Sequence, residues 1–111
     1  MESEREQYPP AFHPEEMKLH KVQIIDDPRD VGVSWGTATV CTIVDHGDNK
    51  HYSLWLSTVL KDKFKKLQIA PGDTVGLVFK GKPKNKNYYD WTVFLWTALV
   101  EADMKRRGIH M

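Results

Sequence analysis

Residues 50–80, KHYSLWLSTVLKDKFKKLQIAPGDTVGLVFK, change their hydrophobic period twice. From Lys50 to Ser57 apolar and polar residues alternate, with Tyr52, Leu54 and Leu56 on one side and His51, Ser53, Trp55 and Ser57 on the other. This is the two-residue repeat of a half-buried strand. From Ser57 the repeat lengthens: Leu60, Phe64 and Leu67 recur at i, i+4 and i+7 among lysines, and Ser57 or Thr58 can cap the amphipathic helix they predict. Pro71-Gly72-Asp73 stops that helix and turns the chain. Thr74 to Lys80 then alternates again, with Val75, Leu77 and Phe79 inward and Gly76 leaving space on the outer face.

Upstream, residues 17–25 (MKLHKVQII) alternate loosely at Met17, Leu19, Val22 and Ile24 and predict a first strand, closed by Asp26, Asp27 and Pro28. Residues 33–44 (VSWGTATVCTIV) are rich in β-branched side chains and predict a long second strand, with Gly36 suited to a bulge. The turn Asp45-His46-Gly47-Asp48-Asn49 makes strands two and three a hairpin. Downstream, the polar loop GKPKNKN (81–87) leads to residues 88–99 (YYDWTVFLWTAL), a fifth strand apolar on both faces.

The order is three strands, one helix, two strands. A mainly β, five-stranded Greek-key OB-fold barrel requires that order, its one short helix plugging the barrel between strands three and four. The barrel is expected over residues 17–100. Before it, residues 1–16 carry Pro9, Pro10 and Pro14 among charges and predict a flexible, acidic, Pro-rich arm; after it, residues 101–111 predict a basic C-terminal tail with no clear period.

The stretch SLWLSTVL, the lysine-rich helix and PGDTVGLVFKGKPKNKNYYDWTV resemble the carboxyl two-thirds of small OB-fold, single-stranded-DNA-binding-like proteins of bacteriophages and mobile elements. The likeness runs from about Val33 to Val93. It implies a replication or recombination accessory that holds single-stranded DNA.

Composition is compatible with that expectation. The net charge of +1 hides a segregation: residues 1–16 hold five acids and one base, whereas the segment from Lys61 to Lys86 holds eight lysines against Asp62 and Asp73. No apolar run approaches the roughly 20 residues of a membrane helix, and the polar, acidic start lacks the pattern of a secretory signal, so a cytoplasmic protein is expected. The single cysteine, Cys41, falls in an apolar strand and reads as structural. No phosphate loop, nucleophile elbow or metal-ligand spacing is present, and neither an enzyme nor a cofactor is expected. His46, Asp45, Asp48 and His51 gather at a turn and read as turn residues.

Binding single strands needs cations for phosphates and flat rings for bases. Lys80, Lys82, Lys84 and Lys86 stand at every second residue of the last loop, a spacing that in an extended chain lines ammonium groups along one edge. Strand parity turns Trp55 outward, Trp35 lies beside the first loop, and Tyr88 and Tyr89 follow the lysines. These eight residues form the predicted site. Trp91, Phe94 and Trp96 read as core or as a subunit contact, which makes the fifth strand the place for a homodimer. RNA in place of DNA, and a barrel that binds a protein partner, are the alternatives.

Overall fold

The computed structural model describes residues 9–108. Six strands and two helices follow in the order β1 (Leu19–Ile24), β2 (Arg29–Val33), β3 (Gly36–Asp45), β4 (Lys50–Leu56), α1 (Thr58–Lys66), β5 (Thr74–Gly81), β6 (Asp90–Leu95) and α2 (Ala98–Arg106). All pairings between the strands are antiparallel.

The centre of the sheet is β3. One of its edges carries β4 in unbroken register, from Thr39 opposite Leu56 to Asp45 opposite Lys50. Its other edge is shared. There β1 pairs with the C-terminal half (Ile24 opposite Ile43) and β2 with the N-terminal half (Arg29 opposite Val40). Pro28 has no N–H to give the ladder. Across the gap the Ile25 N–H donates to the Thr42 carbonyl at 2.9 Å, and the Asp26 carboxylate accepts from the Thr42 N–H at 2.7 Å. Asp-Asp-Pro therefore interrupts the edge strand without ending it, which is why a strand forms at Arg29–Val33 where none was expected.

On its far side β1 pairs with β5, and β5 with β6. The Pro71-Gly72-Asp73 turn extends that pairing, since Gly72 N–H donates to the Ile24 carbonyl (2.7 Å) and Ile24 N–H to the Asp73 carbonyl (2.9 Å). Gly72 has φ +94°, a conformation that glycine adopts at no steric cost.

Of the expected five-stranded OB barrel, the mainly β antiparallel architecture is present, but the sheet has six strands and is open, with no pairing between β4 and β6. The physical reason lies at the second edge of β4. Ser53 uses its backbone there on the arm, donating its N–H to Pro10 O and accepting from Phe12 N–H, both at 2.8 Å. Its hydroxyl donates to Pro9 O at 2.7 Å. Of the arm, residues 9–16 are thus held against the sheet, bridging at Ala11 to Ser53 and at Glu16 to Phe79; residues 1–8 lie outside the described residues. Met17 is not in a strand: it has φ +64° and is exposed.

Helix α1 forms between β4 and β5, where a helix is expected. The Ser57 hydroxyl caps its start by accepting from Leu60 N–H at 3.3 Å, and its apolar stripe buries Leu60 and Phe64. Those two meet Val22, Ile24, Cys41, Ile43, Leu54, Leu56, Val75, Leu77 and Trp91 in one core. Each fully buried aliphatic side chain contributes on the order of 1.5–3 kcal/mol. Burial, with the Asp26 charge adding to it, pushes the Cys41 thiol from its ordinary 9.0 up to about 12. Only the thiolate is nucleophilic, so the folded protein is expected to resist a thiol reagent at pH 8 and to react once unfolded in guanidinium. Fast labelling without denaturant would show that Cys41 is reachable.

The fifth strand is shorter than expected, ending at Leu95, and the tail forms a second helix. Trp96 N–H still donates to Thr74 O at 2.8 Å, but the Thr97 hydroxyl then caps α2 by accepting from Val100 N–H at 3.2 Å. Glu101 ties this helix to the sheet, its Oε1 accepting from Lys21 Nζ (3.0 Å) and Trp96 Nε1 (2.6 Å). The Lys21 and Trp96 hydrogen bonds hold the Glu101 carboxyl below the usual range. The apolar outer face of β6 is largely occupied within the chain. Phe94 lies over Gly76 and stacks on Trp96, ring centroids 5.6 Å apart, while the Lys21 ammonium sits 5.1 Å from the Trp96 ring. Among the described residues no helix is long and apolar enough to cross a membrane.

Candidate functional site

Parity along β4 is as the sequence predicts, with Leu54 and Leu56 buried and Trp55 on the other face, 38% exposed. Ser53 shares the outer face with Trp55 yet is buried, because residues 9–12 cover it. Residues 9–12 thus close the part of this face around Ser53, while Trp55 on the same face keeps 38% of its surface exposed.

Two hollows meet there. One, of about 550 Å³, is walled by Trp35, Val33, Ala38, Trp55 and Ser57. The other, of about 200 Å³, is walled by Trp55, Ser57, Phe79, Tyr89 and Trp91. Since Trp55 and Ser57 belong to both, the hollows adjoin at the end of β4 in a trough whose larger part reaches β3 at Ala38 and whose smaller part reaches β5 at Phe79 and β6 at Trp91.

Each ring has a local cause for its position. Trp35 sits at the tip of the two-residue turn between β2 and β3, where Val33 pairs with Gly36, and is 79% exposed. The turn closes on Gly36, whose φ of +138° favours glycine. This places Trp35 before the strand rather than near its start, because Val33 belongs to β2. Tyr89 is 57% exposed and leans on Phe79, centroids 5.8 Å apart; Phe79 in turn contacts Trp91 at 5.1 Å. Tyr88, 42% exposed, is adjacent in the chain but lines neither hollow. Trp91 is buried in the core, as its reading as a core residue expects.

Lys80, Lys82, Lys84 and Lys86 are all exposed, Lys80 near the end of β5 and the other three on the β5–β6 connection. They do not follow one extended edge. Lys86 N–H donates to Pro83 O at 3.1 Å and Asn85 has φ +63°, so the chain turns between Lys82 and Lys86. Lys80 falls at an irregularity of the ladder, between Phe79 opposite Trp91 and Gly81 opposite Asp90. The lysines thus spread around a turn rather than along one extended edge. Glu16 marks the root of this loop, its carboxylate where a Cβ on Gly81 would fall, 2.4 Å from Oε2.

Two features of the trough were not legible beforehand. Phe79 alternates with Val75 and Leu77 and so reads as core, but the irregularity at Lys80 leaves it half-buried at the trough wall. Ser57 reads only as a helix cap, yet it is also the residue, with Trp55, at which the hollows join. The turn residues named beforehand are engaged locally: Asp45 accepts from Gly47 N–H at 2.8 Å and lies 3.2 Å from His20 Nδ1, and Asp48 accepts from the Tyr52 hydroxyl. That last hydrogen bond lowers the Asp48 carboxyl and raises the Tyr52 phenol.

No protein-family model, curated protein or solved structure matches the chain.

Proposed function

We propose that the chain holds single-stranded nucleic acid, DNA in the first instance, without strong preference for sequence, on an OB-type fold. The observation that carries the reading is the trough: exposed rings of Trp35, Trp55 and Tyr89 around two adjoining hollows, with exposed Lys80 near the end of β5 and exposed Lys82, Lys84 and Lys86 on the loop that follows it. Every base has a flat face, so stacking on such rings contributes about 1–3 kcal/mol per base whatever the base is.

The strand order supports the OB assignment. Counted together as one bent first strand, β1 and β2 are followed by β3, β4, the plug helix, β5 and β6, which is the five-strand OB order. In that count the trough lies over strands two and three, flanked by the first loop with Trp35 and the last loop with the lysines. OB barrels bind oligonucleotides at this position.

The test is a titration of a fluorescent strand of roughly 20 nucleotides, beside its duplex, over a range of salt. Tight, salt-sensitive binding of the single strand with a much weaker duplex is expected. Replacing Lys82, Lys84 and Lys86 by glutamine is expected to lower the slope of log affinity against log salt by about 2, at roughly 0.7 per phosphate contact. An unchanged slope would take the loop out of the site, and a wild-type protein that binds neither strand nor duplex would end the proposal.

A further inference from the structure

We infer that the bound strand does not end at Trp55 but continues into the groove beside α1, where Lys61 and Lys65 hold its phosphates. This rests on the single-strand reading above and adds a second subsite to it. The groove, about 580 Å³, lies between α1 and the Pro28 corner of the β1–β2 edge. Leu56, Phe64 and Ile69 give it an apolar floor, and Lys61 and Lys65 stand on its rim.

Three observations favour a nucleic-acid strand there. The first is proximity: Leu56, at the end of β4, borders both this groove and the larger hollow at Trp35 and Trp55, so the two lie side by side where β4 passes into α1. The second is charge. Lys61 and Lys65 are one helical turn apart on the same face of α1, and among the described residues neither has an ion-pair partner, whereas the groove's one acid, Asp62, is paired with Lys66 at 3.2 Å. The third is composition, since an apolar floor under a cationic rim suits a polymer with flat, weakly polar rings and a charged backbone. The helical lysines, which alone would pass for a solvated surface, acquire a role from what lies between them and Trp55.

The experiment is a length series of fluorescent oligothymidylates, from about 4 to 20 nucleotides, on the full chain and on the double variant Lys61→Gln/Lys65→Gln, with Lys63→Gln, which does not line the groove, as a control on the same helix. Thermal melting checks that each variant is folded. The double variant is expected to bind the shortest oligomers that bind at all like wild type, and to lose affinity for the longest, with the salt slope lowered by about 1.4 for two phosphate contacts. Lys63→Gln should leave both unchanged. Equal loss at every length would mean that the lysines act only through overall charge and would overturn the inference, as would no loss at any length; the second result would leave the groove to an acidic polypeptide. If the wild type binds no oligomer of any length, the single-strand reading itself fails, an outcome distinct from both.

Discussion

Trp55→Ala is expected to weaken binding of a 20-nucleotide single strand by on the order of 10- to 100-fold, the loss of one or two stacked bases at about 1–3 kcal/mol each. The large effect follows from position. Trp55 walls both hollows, so its removal opens the trough at its middle rather than at an end. Trp35 is more exposed, but it sits at the tip of a two-residue turn and touches only one hollow, so Trp35→Ala should cost less. The fold should survive Trp55→Ala, because the core of β4 is carried by Leu54 and Leu56 on the opposite face. Anisotropy titration and a thermal melt of the same sample separate the outcomes. Unchanged affinity would remove Trp55 from the site, and loss of the folded state would make it a structural residue.

The second large effect is on stability. A Cβ added at Gly76 would lie 2.2 Å from Phe94 Cζ, with the two ring carbons beside it at 2.6 and 2.7 Å. Gly76→Ala therefore forces Phe94 off the sheet, and with it the Trp96 stack that the Glu101 hydrogen bond steadies. Overpacking of this kind costs about 1–3 kcal/mol, which for a domain of this size lowers Tm by roughly 5–20 °C. A double-mutant cycle assigns the cause: in a Phe94→Leu background, Gly76→Ala should be nearly free. An equal cost in both backgrounds would mean that the glycine matters for its backbone and not for the ring above it.

The two predictions draw on parts of the sequence that were unequally legible. Trp55 could be assigned from parity alone, since β4 is a clean alternation whose leucines leave only one choice of inner face. Helix α1 and β5 were equally open to reading, because a 3.6-residue stripe with a serine cap and a Pro-Gly-Asp stop speak for themselves. The second half of the first strand was hidden. Asp-Asp-Pro carries every local sign of a terminator, and it is the hydrogen bonds of the Ile25 N–H and the Asp26 carboxylate to Thr42, sixteen positions beyond Asp26, that keep the edge paired. The last strand was overextended for a related reason. Phe94, Leu95 and Trp96 are one apolar run, and nothing local says that Trp96 leaves the ladder to meet Glu101 or that Thr97 starts a helix. The lysine loop was legible in composition and not in shape, because the turn at Pro83–Lys86 depends on Asn85 adopting a positive φ. In each case the missing information was a contact between residues or a backbone choice, not a side-chain preference.

The way β1 is paired has a consequence for how the chain comes to be folded. Both neighbours of β1 lie downstream: Val22 is opposite Asp45 on one side and Val75 on the other. During synthesis this strand emerges before either partner, and after β3 and β4 have formed a hairpin around the four-residue turn 46–49 it can join them along one edge only. Its second edge waits until β5 has cleared the ribosome, and joining it then means closing the loop of residues 57–73 that connects the docked hairpin to β5. Loop-closure entropy of that kind is met before the contacts that offset it, which slows β-rich domains to the range of about milliseconds to seconds. The helix α1 lies inside that loop. By shortening the connection as it forms, it brings the two ends of the slowest step towards each other.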